Sequence, residues 1–506
     1  MVAVHEPSDN PNNTIPIPTY TMEIDSKETV YRIAINENED IQKKEKQRII
    51  DRDEESTKDA VKQILLPVIL SGFGNMAAGI ILDTVQYWTV FRKIPQLIIL
   101  VPALLGLKGN VEMTLSSRLG TAANLGVLED KKKRRMIVIG SISLAQCQAS
   151  AIGLLTPLIG LGIGYIRGGF DDLSDDQKLN LMKILLVMAC AVITSGLADL
   201  ILSSLMCFIC VVSQICFKIN SDNISTPIAA SVGDLATMGF LAITAKLLYD
   251  GYQTVPWVSI IPICIWSGVT VTAGYIARHN EFTKKIVFTG WTPLVVSMII
   301  QNTSGAILES FLQRFDRMAA FQPVINGFGG NLVAVQSSRI ATYLHKYGKK
   351  KQLPESDPHI FIGPWKLFFG KGPHGKLALI LSLMAGPLQL PFVILIRFVT
   401  QRAILTPQFV VTYYVCCTIQ VIVMLYIGYC FVHFLWRFGF NPDNSAIPIL
   451  TALADLLGSI FLACGFLVLN AINDPNAALK IAVDSTSNVT TTTTIAAVIN
   501  NATISQ

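Results

Sequence analysis

Pro102–Thr121 reads PALLGLKGNVEMTLSSRLGT, and Pro323–Thr342 reads PVINGFGGNLVAVQSSRIAT. Pro, Gly, Gly-Asn, Ser-Ser-Arg and Thr recur at the same spacing, at an offset of 221 residues (323 − 102). A second pair keeps that offset: FKINSDNISTPIAASVGDL from Phe217 and FGFNPDNSAIPILTALADL from Phe438. It aligns Pro227 with Pro448 and Asp234 with Asp455. An insertion-free echo over such a distance reads as a tandem duplication.

Around these stretches the chain is very apolar. Hydrophobic residues make up 51% of its 506 positions, and the mean hydropathy is +0.49. Apolar segments lie near 64–90, 96–128, 136–166, 179–216, 227–249, 254–277, 286–312, 318–344, 376–399, 408–436 and 446–470. Each is long enough for a membrane helix, which needs roughly 20 residues. The fold class expected is therefore an all-α polytopic membrane protein with about eleven spans. Gly and Pro inside the segments are tolerated where neighbouring helices re-satisfy the backbone. Residues 1–63 are rich in Pro, Asn and charge, with no apolar core of a cleavable signal, and read as a disordered cytosolic tail. The ten cysteines all fall inside apolar segments and read as small membrane hydrophobes, not a disulfide framework. No phosphate-binding loop, HExxH or dinucleotide fingerprint is present, so ATP-driven pumping has no support. Nothing points to nucleic acid as a partner.

The loops set an orientation. Glu129–Arg135 (EDKKKRR), Arg278–Lys285 and His345–Lys351 (HKYGKKK) are basic, whereas Gly169–Gln177 (GFDDLSDDQ) is acidic. Eleven spans from a cytosolic N-terminus put all three basic loops inside. The C-terminus is then extracellular, and its Thr-rich tail, 471–506, carries the glycosylation sequons Asn488-Val-Thr and Asn501-Ala-Thr. The plasma membrane is the default location.

Each copy holds five spans, 64–249 and 286–470, and five is odd. Directly fused units would face opposite ways. The region 250–285 contains one further span, Val255–Ala277, which resets the direction. The copies are then parallel about a pseudo-two-fold axis along the membrane normal. Such a chain is a pseudo-dimer that acts as a monomer.

Charge in mid-membrane costs about 2.5–3.5 kcal/mol on translocon scales and needs a partner, water or a function. Asp234 and Asp455 each sit in an apolar helix with no basic residue close in sequence. Facing one axis they repel unless a cation lies between them, and a hard divalent ion that keeps its water suits so sparse a site. The alternative is a pair of helix-capping or interhelical carboxylates. Asp83 and Glu309 pair at a different offset, 226 (309 − 83), through SGFGNMAAGIILD and SMIIQNTSGAILE. They read equally as an outer cation vestibule or as carboxylates near a helix end. Asn110 and Asn331 offer uncharged carbonyl oxygens, though the glycines around them favour helix packing over ligation. Arg118 and Arg339 lie eight residues further on (118 − 110, 339 − 331) and read as helix-end anchors.

The P-x-x-x-G-x-x-G-N stretch, the SSR after it and the Pro-x6-Asp-Leu element in each half resemble the solute carrier family 41 magnesium transporters, eukaryotic relatives of the MgtE channels. VPALLGLKGNVEMTLSSRL carries most of the likeness, which covers about residues 64–470. The resemblance implies two parallel five-helix MgtE-like repeats and a magnesium path lined by one helix aspartate from each, here Asp234 and Asp455. It implies magnesium efflux coupled to sodium, with an uncoupled magnesium channel as the alternative. It implies no enzyme activity and no cofactor beyond the transported ion. The large cytosolic domains of MgtE have no room in the short polar leader. An intramembrane aspartyl protease also needs two aspartates, but its G-x-G-D is broken at Ser231, and Pro102-Ala-Leu precedes both aspartates instead of following them.

Overall fold

The computed structural model describes residues 57–124, 130–166, 180–212, 222–284, 286–349, 351–355, 357–370, 374–401 and 404–477. Among the described residues eleven long helices stand where the eleven apolar segments lie. They are α1 (Thr57–Val85), α2 (Gln96–Asn124), α3 (Lys131–Ile166), α4 (Leu181–Val212), α5 (Asp222–Thr254) and α6 (Ile260–His279). The second set is α7 (Trp291–Leu312), α8 (Gln322–Tyr347), α9 (Gly375–Thr400), α10 (Pro407–Phe438) and α11 (Pro442–Ala471). The chain divides into Met1–Ala60 and Val61–Gln506, and the helices make up the second unit, α1 opening just before it. No β-strand forms among the described residues; one isolated bridge joins Lys349 and Gln352. The polar leader up to residue 56, the acidic loop 169–177 and the tail beyond 477 lie outside the described residues.

Local signals explain the helix ends. Thr406 caps α10, its hydroxyl accepting the Phe409 amide at 3.2 Å, with Pro407 in the first helical position. Gly439 stops the same helix in the left-handed region at φ 84°, the conformation glycine adopts without a Cβ penalty. Pro102, Pro157, Pro387, Pro391 and Pro448 lie inside helices, which packed neighbours make tolerable.

Nine of the eleven helices are long and apolar enough to cross a membrane. The two that are not are α2 and α8, the helices that carry the duplicated Pro-Gly-Asn stretch. Asn326, Gln336 and Ser337 on α8 are buried, and so is Glu112 on α2. Polar helices are costly against lipid, and the fold shields them. α8 packs against α9, α10 and α11; α2 packs against α3, α4, α5, α7 and α11. The extra helix α6 stays at the periphery on α3 and α4, with Ile261, Ile265, Val271 and Tyr275 exposed, as suits a side facing acyl chains.

The first helix of each repeat reaches into the other repeat. A Cβ on Gly79 of α1 would lie 2.2 Å from Ala320 O, and one on Gly305 of α7 would lie 1.9 Å from Ile99 O. The pairs are equivalent positions, since 305 − 79 = 226 and 320 − 99 = 221. In each case a glycine seats one helix against the backbone entering the other repeat's polar helix. Phe73 and Phe392 extend the contact edge to face, 5.2 Å between centroids, and Asn331 Nδ2 donates to Ser71 Oγ at 2.8 Å. The halves are thus interlocked rather than merely abutted.

Candidate functional site

One cavity lies where the two repeats meet. Equivalent residues face it: Pro102 with Pro323, Gly106 with Gly327, Gly109 with Gly330, and Asp234 with Asp455. Asn75, Gln322, Asn326, Asn331 and Thr451 complete the polar part of the wall. No Lys or Arg lines it among the described residues. The sequence pair Asp234 and Asp455 is therefore brought together, on α5 and α11. Asn331 joins them. The side chain of Asn110 lies outside the described residues.

The glycines let amides sit where side chains would otherwise stand. A Cβ on Gly106 would be 1.8 Å from Gln301 Nε2 and 2.6 Å from Asp455 Oδ2; one on Gly327 would be 2.0 Å from Asn75 Nδ2. Asn75 and Gln301 are themselves equivalent, at the offset of 226 (301 − 75). Gln301 Nε2 donates to Asp455 Oδ2 at 3.1 Å, and Ser304 Oγ donates to Asp455 O at 2.8 Å and pairs with Ser459 Oγ at 2.8 Å. Gln322 Nε2 and Asn326 Nδ2 each reach Ser459 Oγ at 3.4 Å.

This network leaves carbonyl oxygens over. Gln301 Oε1, Gln322 Oε1 and Asn326 Oδ1 are buried without a hydrogen-bond donor. Buried polar atoms are normally paired, so two carboxylates beside three unsatisfied amide oxygens, against the one unsatisfied amide nitrogen of Asn75, form a wall richer in acceptors than in donors. An oxygen-seeking hard cation is the chemistry such a wall fits.

Asp83 and Glu309 are not part of it. Each lies eight residues beyond the cavity amides (83 − 75, 309 − 301), about 12 Å along its helix. Asp83 is 3% exposed and accepts from Gln86 Nε2 at 3.0 Å; Glu309 is half-buried and accepts from Gln313 Nε2. The sequence did hold a signal for the amides it did not single out. Asn75 and Gln301 lie four residues after the matched Ser71 and Ser297, polar in both copies within otherwise apolar helices.

A polytopic helical protein whose two repeats enclose a cavity with two carboxylates and, among its described residues, no basic side chain is suited to cations. Two segments match the MgtE family model, described as a divalent cation transporter: residues 101–244 and 322–465. Their starts and ends differ by the same 221 residues (322 − 101, 465 − 244). Solute carrier family 41 member 2 of Mus musculus is 37% identical over 457 residues, covering 89% of this chain and 78% of the relative. The Homo sapiens member 2 is 39% identical over 415 residues, 81% and 71% of the two chains. Member 3 of Rattus norvegicus is 38% identical over 418 residues, 82% and 88%. No solved structure matches. The chain belongs to solute carrier family 41, the MgtE-related transporters. It is a divalent cation transporter of the membrane and not an enzyme.

Proposed function

We propose that the transported ion is magnesium and that Asp234 and Asp455 hold it, largely hydrated, on a path between the two halves. The observation that carries this is the meeting of two repeat-related carboxylates on one cavity wall without a basic side chain among its described residues. Mg²⁺ gives up water reluctantly and binds commonly through one or two carboxylates, and the amide oxygens around the cavity suit its water shell. The functional units are 64–249 and 286–470, joined through 250–285. The chain works as a monomer, its two halves standing in for two subunits.

The orientation proposed keeps the N-terminus cytosolic and the C-terminus extracellular, in the plasma membrane, on the strength of the three basic loops. Efflux coupled to sodium is the favoured transport mode; an uncoupled channel uses the same ligands. Reconstituted protein tests both. Magnesium flux into or out of proteoliposomes that rises with an opposed sodium gradient supports coupling, and flux indifferent to sodium leaves the channel. Absence of magnesium flux while another divalent ion passes sinks the choice of ion.

A further inference from the structure

The connection between α8 and α9, residues 348–374, has no counterpart in the first repeat, where only 125–130 join α2 to α3. Its residues Lys349, Lys351 and Gln352 lie on the end of α10. Trp436 Nε1 donates to Lys349 O at 3.1 Å and Gln352 O at 3.0 Å, and Arg437 Nη1 donates to Lys351 O at 2.7 Å. These staples bring Asp357 against His433 of α10 and His374 at the start of α9. One ligand atom from each of the three lies within 4.8 Å of the others. Asp357 Oδ2 is 3.1 Å from His433 Nε2 and 3.8 Å from His374 Nε2. Asp357 and His374 are 7% exposed and His433 is 0% exposed.

Two ring nitrogens meet one carboxylate oxygen. His433 Nδ1 is 2.8 Å from Tyr429 O, a carbonyl that can only accept, so Nδ1 holds a hydrogen and Nε2 is the ring nitrogen turned to Asp357. His374 Nε2 points at the same oxygen, buried and with no hydrogen-bond partner. Three atoms of metal-ligating type thus converge on one point. The outer contacts are those of a metal centre: a backbone carbonyl fixes the ring of His433, and Tyr429 OH donates to Asp357 Oδ1 at 2.5 Å, orienting the carboxylate.

We propose that Asp357, His374 and His433 bind one transition-metal ion of the zinc class, a resident ion separate from the transported one, which locks the 348–374 connection onto α10. Two imidazoles and one carboxylate suit zinc and its first-row neighbours, whereas magnesium prefers an all-oxygen shell. Bonds of about 2.0–2.2 Å place tetrahedral ligand atoms about 3.3–3.5 Å apart, so a small inward movement of His374 completes the set. The ring of His374 stands edge-on to Tyr343 of α8, 4.9 Å between centroids at 90°. The ion therefore fixes the ends of α8, α9 and α10 together, and α8 carries Asn326 and Asn331 into the ion cavity.

Full-length protein in detergent, stripped with a chelator and titrated with Co²⁺, tests this. One equivalent binds, giving the visible absorption of a low-coordinate nitrogen–oxygen site; Zn²⁺ displaces it and excess Mg²⁺ does not. His374→Ala is the decisive variant, because it removes one of the three ligand atoms and no side-chain hydrogen bond of Nε2. It loses at least tenfold in Co²⁺ affinity while its elution volume stays as in the parent, and its metal-free melting temperature falls by no more than the loss of a buried ring explains. Tyr429→Phe, which removes the orienting contact to Asp357 and a longer one to His359 O, weakens binding by about tenfold. No saturable Co²⁺ or Zn²⁺ binding in the parent overturns the proposal and makes His433 an imidazolium paired with Asp357. Equal binding in parent and His374→Ala overturns it too. Neither result bears on magnesium flux through the cavity.

Discussion

Asp234 and Asp455 occupy the same place in two copies of one unit, yet their surroundings differ. Around Asp455 stand Gln301, Ser304, Gln322, Asn326 and Ser459, linked by hydrogen bonds. Their equivalents around Asp234 are Asn75, Ala78, Val101, Leu105 and Met238. One polar position survives, and its arm is a methylene shorter, with its amide nitrogen left without a partner. Two other equivalent positions differ the other way. Glu112 and Asp199 lie buried in the first repeat, where the second repeat has Val333 and Gln420. Duplication supplied two carboxylates; divergence made one a held group within a network and left the other against an apolar wall.

The largest effect tests what the halves share. Asp234→Asn and Asp455→Asn each remove one negative charge and keep an oxygen, and each is expected to cut magnesium flux more than tenfold. The double variant adds little, as for residues that act as a unit. Normal flux in both single variants at parental surface expression moves the ion site elsewhere.

The interlock comes next. Gly305→Ala and Gly79→Ala push a Cβ onto the backbone of the opposite repeat, and overpacking of this kind costs about 1–3 kcal/mol. Both are expected to lower the melting temperature in detergent, and by similar amounts, because the contact is duplicated. Little change in either breaks the exchanged-helix account.

The unlike flanks give a smaller, asymmetric effect. Gln301→Ala removes the bond to Asp455, a contribution of about 1 kcal/mol, and is expected to weaken apparent magnesium affinity about fivefold. Asn75→Ala removes no bond to Asp234 and is expected to change it less. Equal losses from the two would mean that the halves work alike despite their walls.

Smallest is the effect of Asp83→Asn with Glu309→Gln. If these carboxylates gather cations, apparent affinity falls about twofold to threefold at low ionic strength, with maximal flux kept, and the difference disappears in salt. An affinity unchanged at low salt makes them helix-end carboxylates.

How much of this was legible in the chain depends on the range of the physics involved. Helices are local: length and hydropathy announce them, and eleven long ones among the described residues stand where the apolar runs lie, nine of them long and apolar enough to cross a membrane. The repeat is also local, because duplicated residues keep their spacing, and that alone aligned Asp234 with Asp455. Even the mismatch between offsets 221 and 226 was visible. What a pattern along one dimension lacks is a partner. That α1 and α7 each lean on the other repeat follows from Gly79 meeting Ala320 and Gly305 meeting Ile99, contacts between residues more than two hundred positions apart. The amides of Asn75 and Gln301 became wall residues only because Gly327 and Gly106 leave them room. Asp357, His374 and His433 share no motif, since three ligands on a connection and two helices need have no fixed spacing. The sequence determined the helices, their count and the paired carboxylates, since hydrophobicity and duplication act residue by residue. The tertiary structure decided which oxygens share a cavity and which rings meet at one carboxylate, because those depend on distances through space that packing alone sets.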